Sequence, residues 1–102
     1  MLIHKKFNKE DIVSFKLTNG DEIISRYIDD KGASYVFSNP MALTITPKGP
    51  GVVPWFMLGD NSSIEIDKGH VFSMVHSKFD AAEQYLTHLQ NPQPFPVETT
   101  NE

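Results

Sequence analysis

The sequence of 102 residues contains no cysteine and only one arginine, Arg26. Without cysteine, neither a disulfide framework nor a thiolate metal site can form. The formal net charge is -4, whereas generic nucleic-acid binders usually carry a basic face. Any contact with a phosphate backbone must therefore depend on a few well-placed cations.

Long apolar segments are also missing from the chain. No apolar run approaches the roughly 20 residues that a membrane helix needs. The N-terminus places Leu2 and Ile3 ahead of its first charges, the reverse of the order in a secretory signal. We therefore expect a cytoplasmic protein without a membrane partner. The chain length predicts a single domain, which we assign to residues 1–91.

A β-hairpin is the clearest local signal. Apolar and polar residues alternate from Val13 to Thr18, which is typical of a half-buried strand. Asn19-Gly20 follows at once, and both residues tolerate positive φ, so the pair suits a two-residue hairpin turn. The hairpin predicts strands over about 12–18 and 22–28.

The second and third predicted strands are irregular. Strand two carries apolar residues on both faces, which indicates either the strong bend that barrels need or an irregular strand. Strand three begins near Ser34 and is interrupted at Asn39-Pro40, where the proline predicts an edge position or a bulge.

A fourth segment, Val52–Leu58, is apolar without alternation and is predicted to be covered on both faces. The second cover is either another subunit or the sheet and helix of the same chain. Further alternation at 64–66 and 70–75 completes a set of strands that ends at about residue 76.

The C-terminal part of the domain is predicted to be helical over about 78–90. Phe79, Ala82, Leu86 and Leu89 lie at helical spacing and predict the face that packs on the sheet. Asn91-Pro92 ends the helix. Residues 92–102 are rich in proline and polar residues and are predicted to be an extended or disordered tail.

The hairpin and a later turn carry a family resemblance. Lys16-Leu17, the Asn19-Gly20 turn and Glu22 are similar to the first motif of Sm-like proteins, and Lys68-Gly69 before an apolar strand is similar to the second. Over residues 10–76 the chain resembles the Sm, LSm and Hfq proteins, and especially the short Sm-like proteins of tailed bacteriophages. The resemblance implies a mainly β fold, a strongly bent five-stranded antiparallel half-barrel, here followed by a C-terminal helix. A phage-encoded chain would work in the host cytoplasm.

The resemblance also implies binding of single-stranded RNA at loops that line the pore of a ring. Tyr35, Lys68 and His70 map to these loops, although the family's Asp-x-x-Met-Asn loop is not kept at 31–35. A gapless match places Asp67 where arginine is expected, and a shift of one residue places Lys68 there. The same three residues also fit ordinary structural roles, as a core aromatic, a solvated turn lysine and a surface histidine.

Ring assembly is the second implication of the resemblance. Sm-like proteins pair strand four of one subunit with strand five of the next, and a closed heterologous interface of this kind predicts cyclic symmetry. The resemblance therefore implies a homomeric ring of about five to seven subunits. We assign this contact to the segments 52–58 and 71–75, with candidate interface residues Val53, Trp55, Met57, Val71, Ser73 and Val75. The alternative is a monomer whose C-terminal helix covers the sheet edge.

No motif indicates catalysis or a metal site. A nucleophile elbow and paired acids are missing, and His70 and His76 are too far apart in sequence to chelate one ion directly. We therefore predict a non-enzymatic protein without a cofactor, and the resemblance implies that it is a ring-forming, RNA-associated binding protein. The rival prediction is a structural or adaptor ring that offers aromatic residues such as Trp55, Phe56 or Phe95 to a protein partner.

Overall fold

The computed structural model describes residues 7–90 of the protein. The elements in chain order are β1 (Ile12–Leu17), β2 (Glu22–Asp30), β3 (Ser34–Thr46), β4 (Gly49–Pro54), β5 (Ile64–Asp67), a 3₁₀ turn (Lys68–His70), β6 (Val71–His76) and α1 (Phe79–Gln90). The predicted mainly β fold with a C-terminal helix is confirmed. The predicted tail at 92–102 lies outside the described residues.

The strands form one bent, open antiparallel sheet in the order β4-β3-β2-β1-β6, and β5 also pairs with β3. One long strand, β3, pairs with β2 along one side and with two shorter strands along the other. Its first part, Ser34–Phe37, pairs with β5, and its second part, Met41–Thr46, pairs with β4. Five strands follow one another across the sheet, as predicted for the bent half-barrel, and β5 is a sixth that pairs with the first half of β3.

A bulge separates the two halves of β3. Ser38 lies opposite Arg26 and Met41 lies opposite Ile24, so β3 has one residue more than β2 between these pairs. Asn39 has a φ of 54°, a left-handed conformation in which asparagine is enriched. The bulge predicted at Asn39-Pro40 is confirmed, and β3 continues through it.

The hairpin between β1 and β2 is confirmed, but its turn is longer than predicted. Leu17 N–H donates to the Asp21 carbonyl at 2.9 Å, and Gly20 N–H donates to the Leu17 carbonyl at 2.9 Å. Three residues therefore form the loop, and Gly20 has a φ of 98°. A left-handed residue at this position is typical of three-residue hairpin loops.

The sheet buries side chains on both of its faces, which explains the irregular pattern of β2. Ile23 and Tyr27 belong to an inner core with Val13, Phe15, Leu17, Phe37 and Ile66, where the Phe15 and Phe37 rings stack at 4.3 Å. Ile24 instead belongs to an outer core with Met41 and Tyr85. Successive residues of a strand face opposite sides, so Ile23 and Ile24 enter different cores. The backbone of β2 is also irregular, because Tyr27 lies opposite Phe37 and Asp29 opposite Val36, which leaves Ile28 as an extra residue in a bulge.

The helix packs on the outer face mainly through residues other than the predicted ones, although Leu89 belongs to both sets. Tyr85 is only 1% exposed, and Ala81 and Leu89 pack beside it, whereas Phe79 is 78% exposed. The predicted face was therefore wrong in phase. Tyr85 determines the phase because its hydroxyl can bond to backbone groups that the bulge in β3 leaves available.

The predicted strand at Val52–Leu58 was also displaced. The strand β4 ends at Pro54, and the residues from Trp55 to Gly59 form bends. A turn at Pro47-Lys48 is followed directly by β4, so the glycines and proline at 49–51 are strand residues.

Candidate functional site

Two of the three residues predicted to contact RNA lie side by side. The Lys68 Nζ lies 4.8 Å from the centroid of the Tyr35 ring, within the range of a cation–π interaction. The pairing of β5 with β3 produces this contact, because Tyr35 lies opposite Ile66 and Lys68 follows β5 directly.

The charge of Lys68 is already matched by an acid. Its Nζ lies 2.8 Å from Oδ1 of Asp30. This hydrogen bond raises the pKa of Lys68 and lowers the pKa of Asp30, and the Gly32 N–H that donates to Asp30 lowers it further. Lys68 therefore presents a neutralised pair rather than a free cation at this surface.

Tyr35 itself is half-buried and packs against the inner core. Its ring centroid lies 5.9 Å from that of Phe37 and 6.1 Å from that of Tyr27. Burial raises the pKa of the Tyr27 phenol, and the charge of Asp30 raises it further. The Tyr35 ring therefore has an aromatic neighbour on each of two sides and an ammonium over its face.

The third predicted contact, His70, lies at a separate groove. This groove has a volume of about 350 Å³ and runs between β5 and the end of β1. Its lining, which includes neither Tyr35 nor Lys68, contains Trp55, Phe56, Ile64, Glu65, Asp67 and His70. The structure thus places Tyr35 with Lys68, and His70 with a different set of residues.

Two aromatic rings form the wall of the groove at its β4 side. The centroids of Trp55 and Phe56 are 5.2 Å apart with an interplanar angle of 48°. Asn61 holds the loop that carries them, since its Oδ1 accepts from Phe56 N–H at 3.2 Å and its Nδ2 donates to the Phe56 carbonyl at 2.9 Å. The Asn61 carbonyl in turn accepts from Asn39 N–H at 2.6 Å. The loop is therefore fixed to the bulge in β3.

The acids of the groove differ in how they are bonded. Glu65 accepts from the Ser34 hydroxyl and lies 3.6 Å from Lys31 Nζ, and both contacts lower its pKa. Asp67 uses Oδ1 to accept from Gly69 N–H at 2.8 Å, and no other side-chain bond of Asp67 occurs among residues 7–90. The groove therefore combines apolar walls with a negatively charged rim.

A bulge in β6 exposes an aromatic residue that the sequence did not single out. Lys16 lies opposite Ser73 and Leu17 lies opposite Val71, so Phe72 has no partner on β1. Its side chain is 77% exposed. The signal in the sequence was the presence of apolar residues at both parities of this strand, but only the pairing with β1 shows which of them is turned outward.

The predicted interface residues fall into three environments. Trp55 and Val71 pack against the inner core, and Val53 lies half-buried in β4. Met57 is exposed in the loop beyond β4, and Ser73 and Val75 are exposed on β6. Of the two segments predicted to form the subunit contact, β6 therefore has more exposed candidate residues than the segment 52–58.

Other chemistry is sparse in the part of the chain that the structure describes. Within residues 7–90 no group of three or more histidines and acids could hold a metal ion. His76 Nε2 lies 3.1 Å from Asp11 Oδ2, and the His76 ring packs on Phe7 at 4.7 Å between centroids. This pair attaches the start of the described chain to β6.

Among the helices of residues 7–90, none has the length and apolar character of a bilayer-spanning segment. Comparison of the sequence with protein-family models finds no match, and comparison with curated proteins finds none either.

Proposed function

We propose that this chain is a non-enzymatic, Sm-like binding protein that assembles with copies of itself into a closed ring and acts as an adaptor for a protein partner in the cytoplasm. The observation that carries the proposal is the presence of two strand edges, on β5 and on β6, whose backbone groups point away from the sheet. Unpaired edges of this kind bind another strand unless they are covered or blunted.

The edge of β6 offers hydrogen-bonding groups on its outer side. Ser77 N–H donates to the Ile12 carbonyl at 3.1 Å, and bonded pairs alternate along an antiparallel ladder. Ser73 and Val75 therefore bond to β1, while the backbone groups of Met74 and His76 point outward. Among residues 7–90, no strand pairs with this side of β6.

The outer side of β5 also has no partner strand among the described residues. Lys68 N–H donates to the Ala33 carbonyl at 2.9 Å, so the same alternation directs the backbone groups of Glu65 and Asp67 away from β3. These groups border the groove described above. A strand from a second copy can add here by main-chain hydrogen bonds.

The third edge, on β4, is poorly suited to strand pairing. Trp55 N–H donates to the Pro40 carbonyl at 3.0 Å, which places Pro50, Val52 and Pro54 on the outward side of the ladder. Two of these three residues are prolines and have no N–H to donate. We therefore assign the proposed subunit contact to β5 and β6, in place of the segment 52–58 that the sequence suggested.

Protein partners are favoured over RNA by charge and by exposed apolar surface. The net charge is -4, and Lys68 is paired with Asp30. Leu43 and Ile45 are exposed on β3, beside β4 and away from the two edges of the proposed contact. These side chains suit a protein partner, because apolar residues form the centre of protein interfaces.

Single-stranded RNA is the second candidate ligand, and one observation favours it. Tyr35 and Lys68 lie together, so that a base could stack on an aromatic ring next to a cation. Binding in this way requires the base to displace Lys68 from the ring face.

Light scattering over a range of protein concentrations tests the assembly. We expect the wild type to have the mass of a ring, and Glu65→Pro to reduce this mass because it removes an outward N–H from β5. Glu65→Gln keeps the N–H and removes only the charge, so it should retain the mass of a ring under conditions in which Glu65→Pro loses it. A wild-type protein that remains monomeric at micromolar concentration contradicts the proposal.

A separate measurement distinguishes the two ligand classes. Short uridine-rich and adenine-rich RNAs are titrated into the full chain across a salt series. Binding that is lost in Lys68→Ala and retained in Lys48→Ala, which changes an exposed turn lysine, would establish RNA as the ligand. No binding at low salt supports the protein adaptor.

A further inference from the structure

An exposed aromatic residue, Phe72, lies on β6, which is one of the two strand edges that are free to pair within residues 7–90. Phe72 occupies the bulge of β6, where it has no partner on β1, and its side chain is 77% exposed. A bulge commonly redirects a side chain at a sheet edge. A large apolar ring held in water on a rigid strand gains free energy when a second surface covers it.

The second free edge, on β5, borders a groove with apolar walls that could receive an aromatic side chain. The groove beside β5 has a volume of about 350 Å³, which is at the lower end of the roughly 300–1,000 Å³ that ligand pockets occupy. Trp55, Phe56 and Ile64 supply apolar walls. Phe72 lies at the start of β6 and outside this lining, so the groove is not filled by the chain's own edge aromatic.

We propose that Phe72 of one copy inserts into the groove between β5 and the end of β1 of the next copy, against Trp55 and Phe56. This inference rests on the proposed self-assembly and names the residue that anchors it. Each copy contributes the Phe72 side chain on one side and the groove on the other, so the contact is heterologous. Further copies add in the same way until the assembly closes into a ring.

Charge favours a second copy as the occupant of the groove. The rim of the groove carries the acids Glu65 and Asp67, whereas β6 carries no acid and the exposed Lys78 lies two positions beyond its end. His76, at the end of β6, is already paired with Asp11. A strand with this composition approaches an acidic rim without repulsion, and opposite charges across an interface favour the correct orientation. The aromatic pair in the groove also suits an edge or offset approach of a third ring.

The protein offers a matched pair of variants for testing the anchor. Phe72→Ser and Phe79→Ser remove the same side chain from positions that are 77% and 78% exposed. Both variants should fold, and circular dichroism and thermal melting check this. We expect Phe72→Ser to weaken self-association at least about 30-fold, equivalent to ~2 kcal/mol, and Phe79→Ser to leave it unchanged.

A mixing experiment identifies the groove as the receiving site. Phe56→Arg adds a charged side chain to the groove and leaves Phe72 intact, while Phe72→Ser leaves the groove intact. Neither variant alone should form rings, because each lacks one half of the contact. An equimolar mixture retains one complete contact per pair, so light scattering should show a dimer of the two variants.

The tryptophan reports on the contact directly, because Trp55 is the only one in the sequence. Dilution of the wild type through its association range should shift the emission of Trp55 toward the red, and Phe72→Ser should already show the shifted spectrum at high concentration. Phe79→Ser should follow the wild-type dilution curve.

The outcomes separate this inference from the proposed assembly. A wild type that forms rings, with Phe72→Ser assembling as well as Phe79→Ser, overturns the role of Phe72 and leaves the assembly standing. A mixture that stays monomeric although both variants are folded also overturns it. A monomeric wild type rejects the assembly itself, and with it the proposed occupant of the groove.

Discussion

The hydroxyl of Tyr85 donates to the backbone carbonyl of Asn39 at a distance of 2.9 Å, although the two residues are 46 positions apart. The same hydroxyl lies 3.0 Å from the Ser38 carbonyl and accepts from Arg26 N–H at 3.2 Å. These backbone groups belong to the bulge, where the ladder between β2 and β3 is interrupted. The helix is therefore attached to the sheet at the point where the sheet has unpaired polar groups.

Tyr85→Phe should lower the free energy of unfolding by about 1–3 kcal/mol, the cost of leaving buried polar groups without a partner. The ring would still fill the outer core, so the packing loss is small. Chemical denaturation monitored by circular dichroism measures the effect. Tyr27→Phe is the matched control, because the Tyr27 hydroxyl makes no hydrogen bond to residues 7–90, and it should change the stability by much less. Equal losses in both variants would show that the backbone contacts of Tyr85 contribute nothing.

The left-handed backbone of Asn39 in the bulge, with a φ of 54°, predicts how substitutions at this position affect stability. Asn39→Val should destabilise the protein by about 1–3 kcal/mol, because a β-branched residue is strained in the left-handed region. Asn39→Gly should be close to neutral, since glycine adopts this conformation without strain. Thermal melting of the two variants compares them directly. A valine variant that melts with the glycine variant would mean that the bulge relaxes when asparagine is replaced.

The phase of the helix can be tested on its two faces. Met41 is 5% exposed in the outer core beneath the helix, so Met41→Ala should cost about 2–5 kcal/mol. Phe79→Ser changes an exposed position and should alter stability by no more than about 0.5 kcal/mol. Urea denaturation gives both values. A large loss for Phe79→Ser would restore the helix face that the sequence periodicity predicted.

Local patterns in the sequence predicted most of the elements, whereas contacts between distant segments were not accessible to them. The alternation from Val13 onward and the Asn19-Gly20 turn identified the first hairpin, because a hairpin depends on neighbouring residues alone. The role of Tyr85 could not be predicted, since its partners lie in the bulge of β3 and periodicity treats tyrosine as an ordinary apolar position. The hydrogen bonds of the Tyr85 hydroxyl, rather than the apolar area of the helix, therefore determine which face of α1 packs on the sheet.

The candidate sites also differ in whether the sequence alone could identify them. The family resemblance singled out Tyr35 and Lys68 independently, and their contact follows from the pairing of β3 with β5. The groove escaped prediction because its walls come from three separate parts of the chain. Phe72 escaped because its exposure depends on a register shift against β1, which one strand's own sequence does not contain.

The ion pair between Lys68 and Asp30 predicts a dependence of stability on pH. The hydrogen bond from Lys68 lowers the pKa of Asp30 in the folded protein. The ionised carboxylate therefore contributes stability at pH values above its unfolded pKa of about 3.9, and this contribution is lost as the pH falls through the lower folded value. In Asp30→Asn the free energy of unfolding should fall less steeply with acidification over this range.

The control for this measurement is Glu83→Gln, which removes an equal charge from the exposed side of α1 and should retain the wild-type slope. Denaturation curves collected from neutral pH to below the folded pKa of Asp30 give the comparison. If Asp30→Asn and the wild type lose stability in parallel, the contact with Lys68 does not persist in solution. Lys68 would then be free to leave the Tyr35 ring, and its charge would be available to RNA.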